Sequence, residues 1–226
     1  MEIIHGVHWV EGVNANPYLL TRVDGKIVVV DTGMPGGAKK ILEYLSAKTS
    51  KEPRDLETIL LTHCHPDHAG SALELKELTG AKIAIHKDDA DYVAGRKRLP
   101  PIKGPAPPET PRFPPPPHFQ PDLLLEDGEV IDGLKVIHIP GHTPGSIALY
   151  DQTRRILFTG DALLCYGGKV VGPSEQFSMD ILEARRSIER LTVLDFDIML
   201  SGHGEPLRRN ASALVRQFYD SLKKPY

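Results

Sequence analysis

Residues 58–68, with the sequence TILLTHCHPDH, decide how the rest of this chain is interpreted. The apolar residues 59–61 lead directly into three histidines and one aspartate: His63, His65, Asp67 and His68. Imidazole nitrogen and carboxylate oxygen are ligands that suit divalent metals such as zinc. If the apolar strand continues to residue 62, alternation of side chains directs His63 and His65 to one side, and the next two ligands fall on the turn into a helix. The segment therefore predicts half of a two-metal centre.

Three later segments of the chain repeat this pattern of an apolar run followed by a residue that can bind metal. The three residues are His142, Asp161 and His203, and a glycine stands directly before each of them. Glycine suits a tight turn in which the backbone comes close to a bound ion. Seven nitrogen and oxygen ligands without a thiolate favour a catalytic metal site over a structural one, which is usually four-coordinate and rich in cysteine.

The composition of the 226 residues is that of an ordinary globular protein, with 40% hydrophobic and 25% charged residues. A formal net charge of -3 gives no case for a nucleic-acid partner. The sequence shows neither a transmembrane segment nor a signal peptide, so we expect a cytoplasmic protein.

The 20 prolines suggest a thermophilic source. Cys64 and Cys165 are expected to be small buried residues rather than a disulfide or zinc site.

Strands and helices are predicted in two similar halves of a single domain, residues 1–226. The first half has strands at 3–10, 18–23, 26–31, 59–62 and 82–86 and helices at 38–48, 66–78 and 88–94; the second has strands at 129–131, 134–139, 146–151, 156–159 and 197–201 and helices at 178–191 and 210–222. Because most strands are consecutive, a doubly wound sheet is disfavoured. We expect two sheets packed face to face with helices outside.

The proline-rich segment at about 95–121 interrupts these halves, since its prolines preclude a regular helix or a central strand. One interpretation is a functional loop that covers the substrate, with Phe113 and Phe119 as apolar contacts. A stiff, solvent-facing insertion fits the sequence equally well. The remaining histidines lack ligand spacing and are expected to be structural or surface residues: His5, His8, His86, His118 and His138.

The HxHxDH pattern at 63–68, together with His142, Asp161 and His203, resembles the metallo-β-lactamase superfamily of metallo-hydrolases. The resemblance spans nearly the whole chain and includes Asp31, which matches an early aspartate that usually supports the ligands in that family. It implies the α/β class in four layers, an αββα sandwich of two mixed β-sheets with the site along one edge of the sheets.

The same resemblance implies two metal sites. One metal would take His63, His65 and His142, the second Asp67, His68 and His203, with Asp161 bridging the two. Zinc is the first choice of metal, with iron or manganese as alternatives. Two such ions would share a bridging hydroxide that attacks a carbonyl or a phosphorus. The expected function is therefore hydrolysis of an ester, thioester, lactone or phosphodiester bond in a small molecule.

Two residues are candidates for direct catalytic roles. Asp67 is expected to orient the nucleophile or to take up its proton. Tyr166 could donate a hydrogen bond to a developing oxyanion, although a structural tyrosine is an equally good interpretation. The oligomeric state cannot be read from the sequence.

A second function within the family remains open. Residues 62–65 and 158–164 also resemble the corresponding segments of persulfide dioxygenases, in which one iron would sit on His65, His142 and Asp161. Those enzymes typically carry a Cys-Gly-Arg motif after the aspartate, whereas residues 165–169 read CYGGK here. Glyoxalase II enzymes typically add a C-terminal helical domain, and little sequence follows His203, which counts against a dedicated glutathione thioesterase.

Overall fold

The computed structural model describes residues 1–100, 103 and 117–223. They form two compact units: residues 1–99 with 117–125, and residues 126–223 with 100 and 103. Among the described residues, no helix is long and apolar enough to cross a membrane. Most of the proline-rich segment at 95–121 lies outside the described residues, and so does Phe113, which leaves its role as a substrate loop a prediction. The single domain over 1–226 also stays a prediction.

The first unit contains a mixed sheet of seven strands in sequence order. The strands are β1 (Glu2–Ile4), β2 (Val7–Trp9), β3 (Tyr18–Thr21), β4 (Ile27–Val30), β5 (Leu56–Leu60), β6 (Lys82–His86) and β7 (Leu123–Leu125). Strands β1 to β4 pair antiparallel, and β4 to β7 pair parallel. All four residues of β4, which lies between β3 and β5, are buried.

Helices cover this first sheet. They are α1 (Ala38–Thr49), a 3-10 helix (Pro53–Asp55), α2 (Pro66–Ala69), α3 (Ala72–Thr79) and α4 (Lys87–Val93). Helix α1 buries Ala38, Ile41 and Leu45, which share one face by their spacing of three and four residues. Phe119 is buried in the same core, and its backbone N–H bonds to the Val93 carbonyl oxygen at 3.0 Å. Phe119 is therefore a core residue rather than an exposed substrate contact.

Two predicted elements of the first unit are each divided in the structure. The strand expected at 3–10 is a hairpin, β1 and β2, because Gly6 turns the chain with a φ of 74°. The helix expected at 66–78 is split at Gly70 and Ser71 into α2 and α3. There the Ser71 hydroxyl donates to the Met34 carbonyl at 2.7 Å and accepts from the Gly37 N–H at 2.8 Å. This tertiary contact replaces the continuation of the helix.

The second unit contains a five-stranded mixed sheet in the order β14-β11-β10-β9-β8, and a separate two-stranded hairpin. Its elements are β8 (Val130–Ile131), β9 (Leu134–His138), β10 (Ile147–Asp151), β11 (Ile156–Gly160), β12 (Leu164–Tyr166), β13 (Lys169–Val171), α5 (Ile181–Ser187), α6 (Glu189–Thr192), β14 (Ile198–Ser201) and α7 (Ala211–Leu222). Among the described strands of this unit, only β11 and β14 pair parallel. The expectation of two mixed sheets with helices is confirmed.

The start of α5 and the hairpin β12–β13 differ from the prediction. The helix expected at 178–191 begins at Ile181, because the Asp180 side chain caps it by accepting from the N–H groups of Leu182 and Glu183. The hairpin was missed, although Gly167 and Gly168 both have positive φ and Gly-Gly is a known hairpin turn. Strand β7 was also missed, since three leucines near Pro121 give too short a pattern.

Candidate metal centre

Four of the predicted ligands lie together in the first unit and are called here the N-terminal cluster: His63, His65, Asp67 and His68. The ring centroids of His63 and His65 are 4.8 Å apart, and those of His63 and His68 are 4.0 Å apart. The Asp67 carboxylate lies 3.8 Å from His68 Nε2. His65 precedes α2, and Pro66 begins the helix in its first turn, where proline is favoured. Loop and helix thus present all four side chains in one place.

The loop before α2 is positioned by Asp31 rather than by strand alternation. Strand β5 ends at Leu60, so the prediction that it reaches residue 62 is wrong. Because β4 and β5 are parallel neighbours, Asp31 after β4 and Thr62 after β5 meet at one edge of the sheet. The Asp31 carboxylate accepts from the Thr62 N–H and from its hydroxyl, each at 2.8 Å. The buried Asp89 carboxylate holds the same loop by accepting from the Cys64 N–H at 2.8 Å.

Hydrogen bonds in the N-terminal cluster determine which ring nitrogen of two histidines bears hydrogen. Asp31 Oδ2 lies 2.7 Å from His68 Nδ1, and because a carboxylate only accepts, that nitrogen donates. The Thr62 hydroxyl gives its hydrogen to Asp31 and therefore accepts from His63 Nδ1 at 3.0 Å. In both rings Nε2 is then the nitrogen with a lone pair for a metal. Such orientation through the other nitrogen is usual for metal-ligating histidines.

The other three predicted ligands lie together in the second unit and are called here the C-terminal cluster: His142, Asp161 and His203. Asp161 directly follows β11, and His203 follows β14, the parallel neighbour of β11. Strand β9 has the same direction, since both β9 and β11 pair antiparallel with β10. All three strands therefore end at one edge. Asp161 Oδ2 lies 3.6 Å from His142 Nε2 and 3.5 Å from His203 Nε2.

Two glycines allow the histidine loops of the C-terminal cluster to pack closely. Gly141 has a φ of 121°, and a Cβ there would lie 2.0 Å from the Ala184 nitrogen in α5. Gly204 has a φ of 83°, and its Cβ would lie 1.7 Å from the Cys165 carbonyl oxygen in β12. From the sequence, Gly141 was expected to let the backbone come close to a bound ion. In the structure, close packing against α5 is sufficient to require a glycine at this position. Gly204 was not singled out from the sequence.

Ser178 orients His142 in the same way that Thr62 orients His63. The buried Ser178 hydroxyl lies 3.1 Å from His142 Nδ1 and 2.6 Å from the Ser174 carbonyl oxygen. Nothing in the sequence pointed to Thr62 or Ser178, because a serine or threonine carries no signal of which ring it will meet. In both clusters the donors are imidazole and carboxylate, and three of the imidazoles are buried, which fits a divalent metal of the zinc, iron or manganese type.

Tyr166 lies at the end of β12 in the second unit and is 49% exposed. Burial, together with the negative charges of Asp161 and Glu205, raises the pKa of its phenol. The phenol therefore keeps its hydrogen at neutral pH and remains a hydrogen-bond donor near Asp161. Cys165, its neighbour, is fully buried, and burial raises the pKa of its thiol, as expected for an inert residue.

Several of the remaining histidines have structural contacts, as expected. His138 Nε2 lies 2.7 Å from the Pro144 carbonyl oxygen. The buried His86 precedes α4, and its Nδ1 accepts from the Asp88 N–H. His8 Nδ1 lies 3.4 Å from the Tyr44 hydroxyl. These contacts give each of the three histidines a structural partner.

Comparison with known proteins places the sequence among metallo-hydrolases. The family model described as the Metallo-beta-lactamase superfamily matches residues 10–203. YflN of Bacillus subtilis, named a probable metallo-hydrolase, is 32% identical, covering 91% of this chain and 86% of YflN. The human acyl-coenzyme A thioesterase MBLAC2 is 29% identical (88% and 78% covered), and the hydroxyacylglutathione hydrolase GloC of Haemophilus influenzae is 30% identical (75% and 77% covered).

A solved structure supports the same assignment. A metallo-beta-lactamase family protein from Thermus thermophilus superposes with a TM-score of 0.72 at 26% identity, covering 98% of this chain and 79% of that one. The expected α/β fold class, two mixed sheets flanked by helices, is therefore confirmed. From the family match, the relatives and the shared fold, we conclude that this chain belongs to the metallo-beta-lactamase superfamily.

Proposed function

We propose that this chain is a dinuclear metal-dependent hydrolase whose N-terminal and C-terminal clusters together hold two divalent ions, zinc in the first place. Each of three buried rings, His63, His68 and His142, has its Nδ1 engaged so that Nε2 is the ligand atom. That shared orientation is the observation on which the proposal rests most. A histidine that binds a metal needs its other ring nitrogen held in this way, whereas a surface histidine does not.

The ligand sets we propose follow the family pattern, residue by residue. One ion would be held by His63, His65 and His142, the other by Asp67, His68 and His203, and Asp161 would be a ligand of both. Within the C-terminal cluster, both histidine Nε2 atoms lie near the same oxygen of Asp161. This convergence supports a central position for that carboxylate.

When bound, two divalent ions lower the pKa of a shared water and polarise the oxygen that gains charge. The chain's own residues supply the rest. The Asp67 carboxylate is 29% exposed and can orient the attacking water and accept its proton. The Tyr166 phenol, whose pKa is raised further by burial and the nearby Asp161 charge, donates a hydrogen bond to the substrate oxygen. Asp31 keeps His68 in one orientation throughout.

We propose a small-molecule thioester as the first substrate class. Two of the relatives are named as an acyl-coenzyme A thioesterase and a hydroxyacylglutathione hydrolase, and both names describe thioester cleavage. This chain covers 77% of that glutathione-thioester hydrolase. A hydroxyacylglutathione therefore stays among the thioesters to be tested. Oxygen esters, lactones and phosphodiesters share the same chemistry and are the comparison substrates.

A metal assay and a substrate panel on one preparation test this function. Purified full-length chain is analysed for metals, then assayed with an acyl-coenzyme A, a hydroxyacylglutathione, a lactone and a phosphodiester, before and after chelation and zinc restoration. We expect thioester hydrolysis that chelation abolishes and zinc restores. His142→Ala should lose this activity, while His8→Ala, which alters a buried histidine outside the clusters, should keep it.

The same preparation distinguishes hydrolysis from the alternative, a persulfide dioxygenase reaction. One iron per chain, with oxygen uptake on a glutathione persulfide and no hydrolysis, would support the persulfide dioxygenase function with ligands His65, His142 and Asp161. A fully metal-loaded protein that hydrolyses none of the four substrates would contradict the hydrolase proposal.

A further inference from the structure

The segment from Ser174 to Asp180 is attached to the loop that presents His142. The Met179 N–H donates to the His142 carbonyl oxygen at 3.1 Å, and the Asp180 N–H donates to the Gly141 carbonyl oxygen at 2.8 Å. The Ser178 side chain adds a contact to the ring itself, since its hydroxyl lies 3.1 Å from His142 Nδ1. Backbone and side chain of this segment therefore both hold one predicted ligand.

The hydroxyl of Ser178 has a single hydrogen, and its neighbours decide where that hydrogen points. The Ser174 carbonyl oxygen lies 2.6 Å from Ser178 Oγ, and a carbonyl oxygen can only accept. The hydrogen therefore points to Ser174, and Ser178 Oγ can only accept from the histidine. His142 Nδ1 must then bear hydrogen, which leaves the lone pair on Nε2, the nitrogen on the Asp161 side.

Lys103 holds the same segment from its outer side. Its Nζ donates to the Ser178 carbonyl oxygen at 2.8 Å, and its backbone N–H donates to the Gln176 carbonyl oxygen at 3.1 Å. A charged donor forms a stronger hydrogen bond to a carbonyl than a neutral one does. Lys103 thus restricts the backbone that carries the Ser178 hydroxyl.

We infer that Ser178 is a positioning residue that fixes His142 in its Nδ1–H tautomer, and that Lys103 stabilises the segment from which Ser178 acts. The effect of Ser178 on metal affinity rests on the proposed function, because the His142 tautomer can influence metal binding only if His142 is a ligand. The tautomer itself is a property of the metal-free chain and can be measured without activity. Partners of this kind typically change metal affinity by about 10- to 100-fold.

Nitrogen-15 NMR of histidine rings in the chelator-treated full-length chain tests the tautomer directly. Wild type should show His142 with hydrogen on Nδ1. Ser178→Ala should lose this preference while the other histidine signals stay in place. Ser187→Ala is the matched control, because Ser187 also donates from a buried hydroxyl to the same loop, at Pro140 O (2.8 Å), without touching the ring.

Zinc affinity by chelator competition provides the second readout. We expect Ser178→Ala to weaken binding of one zinc ion by about 10- to 100-fold. Lys103→Met should weaken it by roughly 2- to 5-fold, since an exposed charge contributes less, and Lys135→Met, an exposed lysine of the same unit, should leave it unchanged.

Three results would overturn the inference: Nε2–H on His142 in wild type, an unaltered tautomer in a folded Ser178→Ala variant, or, where wild type binds zinc, equal zinc affinity in Ser178→Ala and Ser187→Ala. If the tautomer changes as expected but wild type binds no zinc, the proposed function fails and the positioning role stands. If Ser178→Ala does not fold, the His142 tautomer in wild type and the zinc affinity of Lys103→Met still test the inference.

Discussion

The N-terminal and C-terminal clusters offer the same donor types but are assembled differently. The first draws its four side chains from one loop and one helix turn, within six consecutive positions. The second draws three side chains from three loops that follow β9, β11 and β14. A local motif can be recognised by spacing alone, whereas the second cluster exists only because three strands end at one sheet edge. The second is therefore the more sensitive to changes in packing.

The clusters also differ in what fixes their histidine rings. The N-terminal cluster relies on the carboxylate of Asp31, which accepts from Thr62 and His68. The C-terminal cluster relies on a neutral hydroxyl, Ser178, which is itself held by the Ser174 carbonyl. Hydrogen bonds to an ionised group are roughly twice as strong as neutral ones. We therefore expect the N-terminal cluster to stay ordered without metal and the C-terminal cluster to depend more on bound metal.

The largest effect is expected from removing the carboxylate at the centre of the C-terminal cluster. Asp161→Ala should lower kcat by about 1,000-fold or more, because under the proposed function both ions would lose a shared ligand. Metal analysis should show loss from both sites. Asp195→Ala, which removes a surface carboxylate bonded to Arg155, is the control and should keep full activity. Full metal content with normal turnover in Asp161→Ala would refute the bridging role.

Asp31→Asn tests the charged anchor of the N-terminal cluster. An asparagine offers one acceptor oxygen where the carboxylate accepts from three donors, and its NH2 group would face another donor. We expect a loss of about 2–4 kcal/mol in the free energy of unfolding of the metal-free protein, measured by denaturant titration. Zinc affinity should also fall.

Asp151→Asn is the control for that anchor, since it alters a buried carboxylate bonded to Arg154 in the second unit. It should lower stability without changing zinc affinity. If Asp31→Asn leaves both quantities at wild-type values, the idea that a charge holds the N-terminal cluster is wrong.

Gly141→Ala tests the packing on which the C-terminal cluster depends. The added Cβ would meet the Ala184 nitrogen at 2.0 Å, and a φ of 121° strains any other residue. We expect a destabilisation of about 3 kcal/mol and weaker zinc binding. Gly128→Ala, which has a φ of 84° but no atom within 4 Å, should cost clearly less. Equal losses of stability in the two variants would mean that the positive φ, rather than the contact with Ala184, causes the destabilisation.

Tyr166→Phe is expected to have the smallest effect. Loss of one hydrogen bond to the substrate oxygen should lower kcat by about 10- to 100-fold with unchanged metal content. Tyr150→Phe removes a phenol that donates to the Asp195 carbonyl oxygen and should leave kcat intact. An unchanged kcat in Tyr166→Phe would assign this tyrosine a purely structural role.

The comparison also explains what could be predicted from the sequence. Strand β6 and helix α1 were predicted almost to the residue, because their apolar patterns are regular and their ends are marked. The division at Ser71 and the late start of α5 were not, since they depend on contacts between distant segments. The ligands were predicted because their motif is visible in the sequence. Thr62 and Ser178, which orient two of the ligand rings, were not predicted, because their roles also depend on contacts in the folded chain.

Counting zinc ions tests the central claim most directly, because the two clusters are proposed to hold two ions together. The chelator-treated full-length chain is titrated with zinc, and bound metal is measured per chain after dialysis. We predict two zinc ions in wild type, and fewer than one tightly bound in a variant with alanine at all three positions of the C-terminal cluster. One ion or none in the folded wild type, or two retained in that variant, would contradict the account.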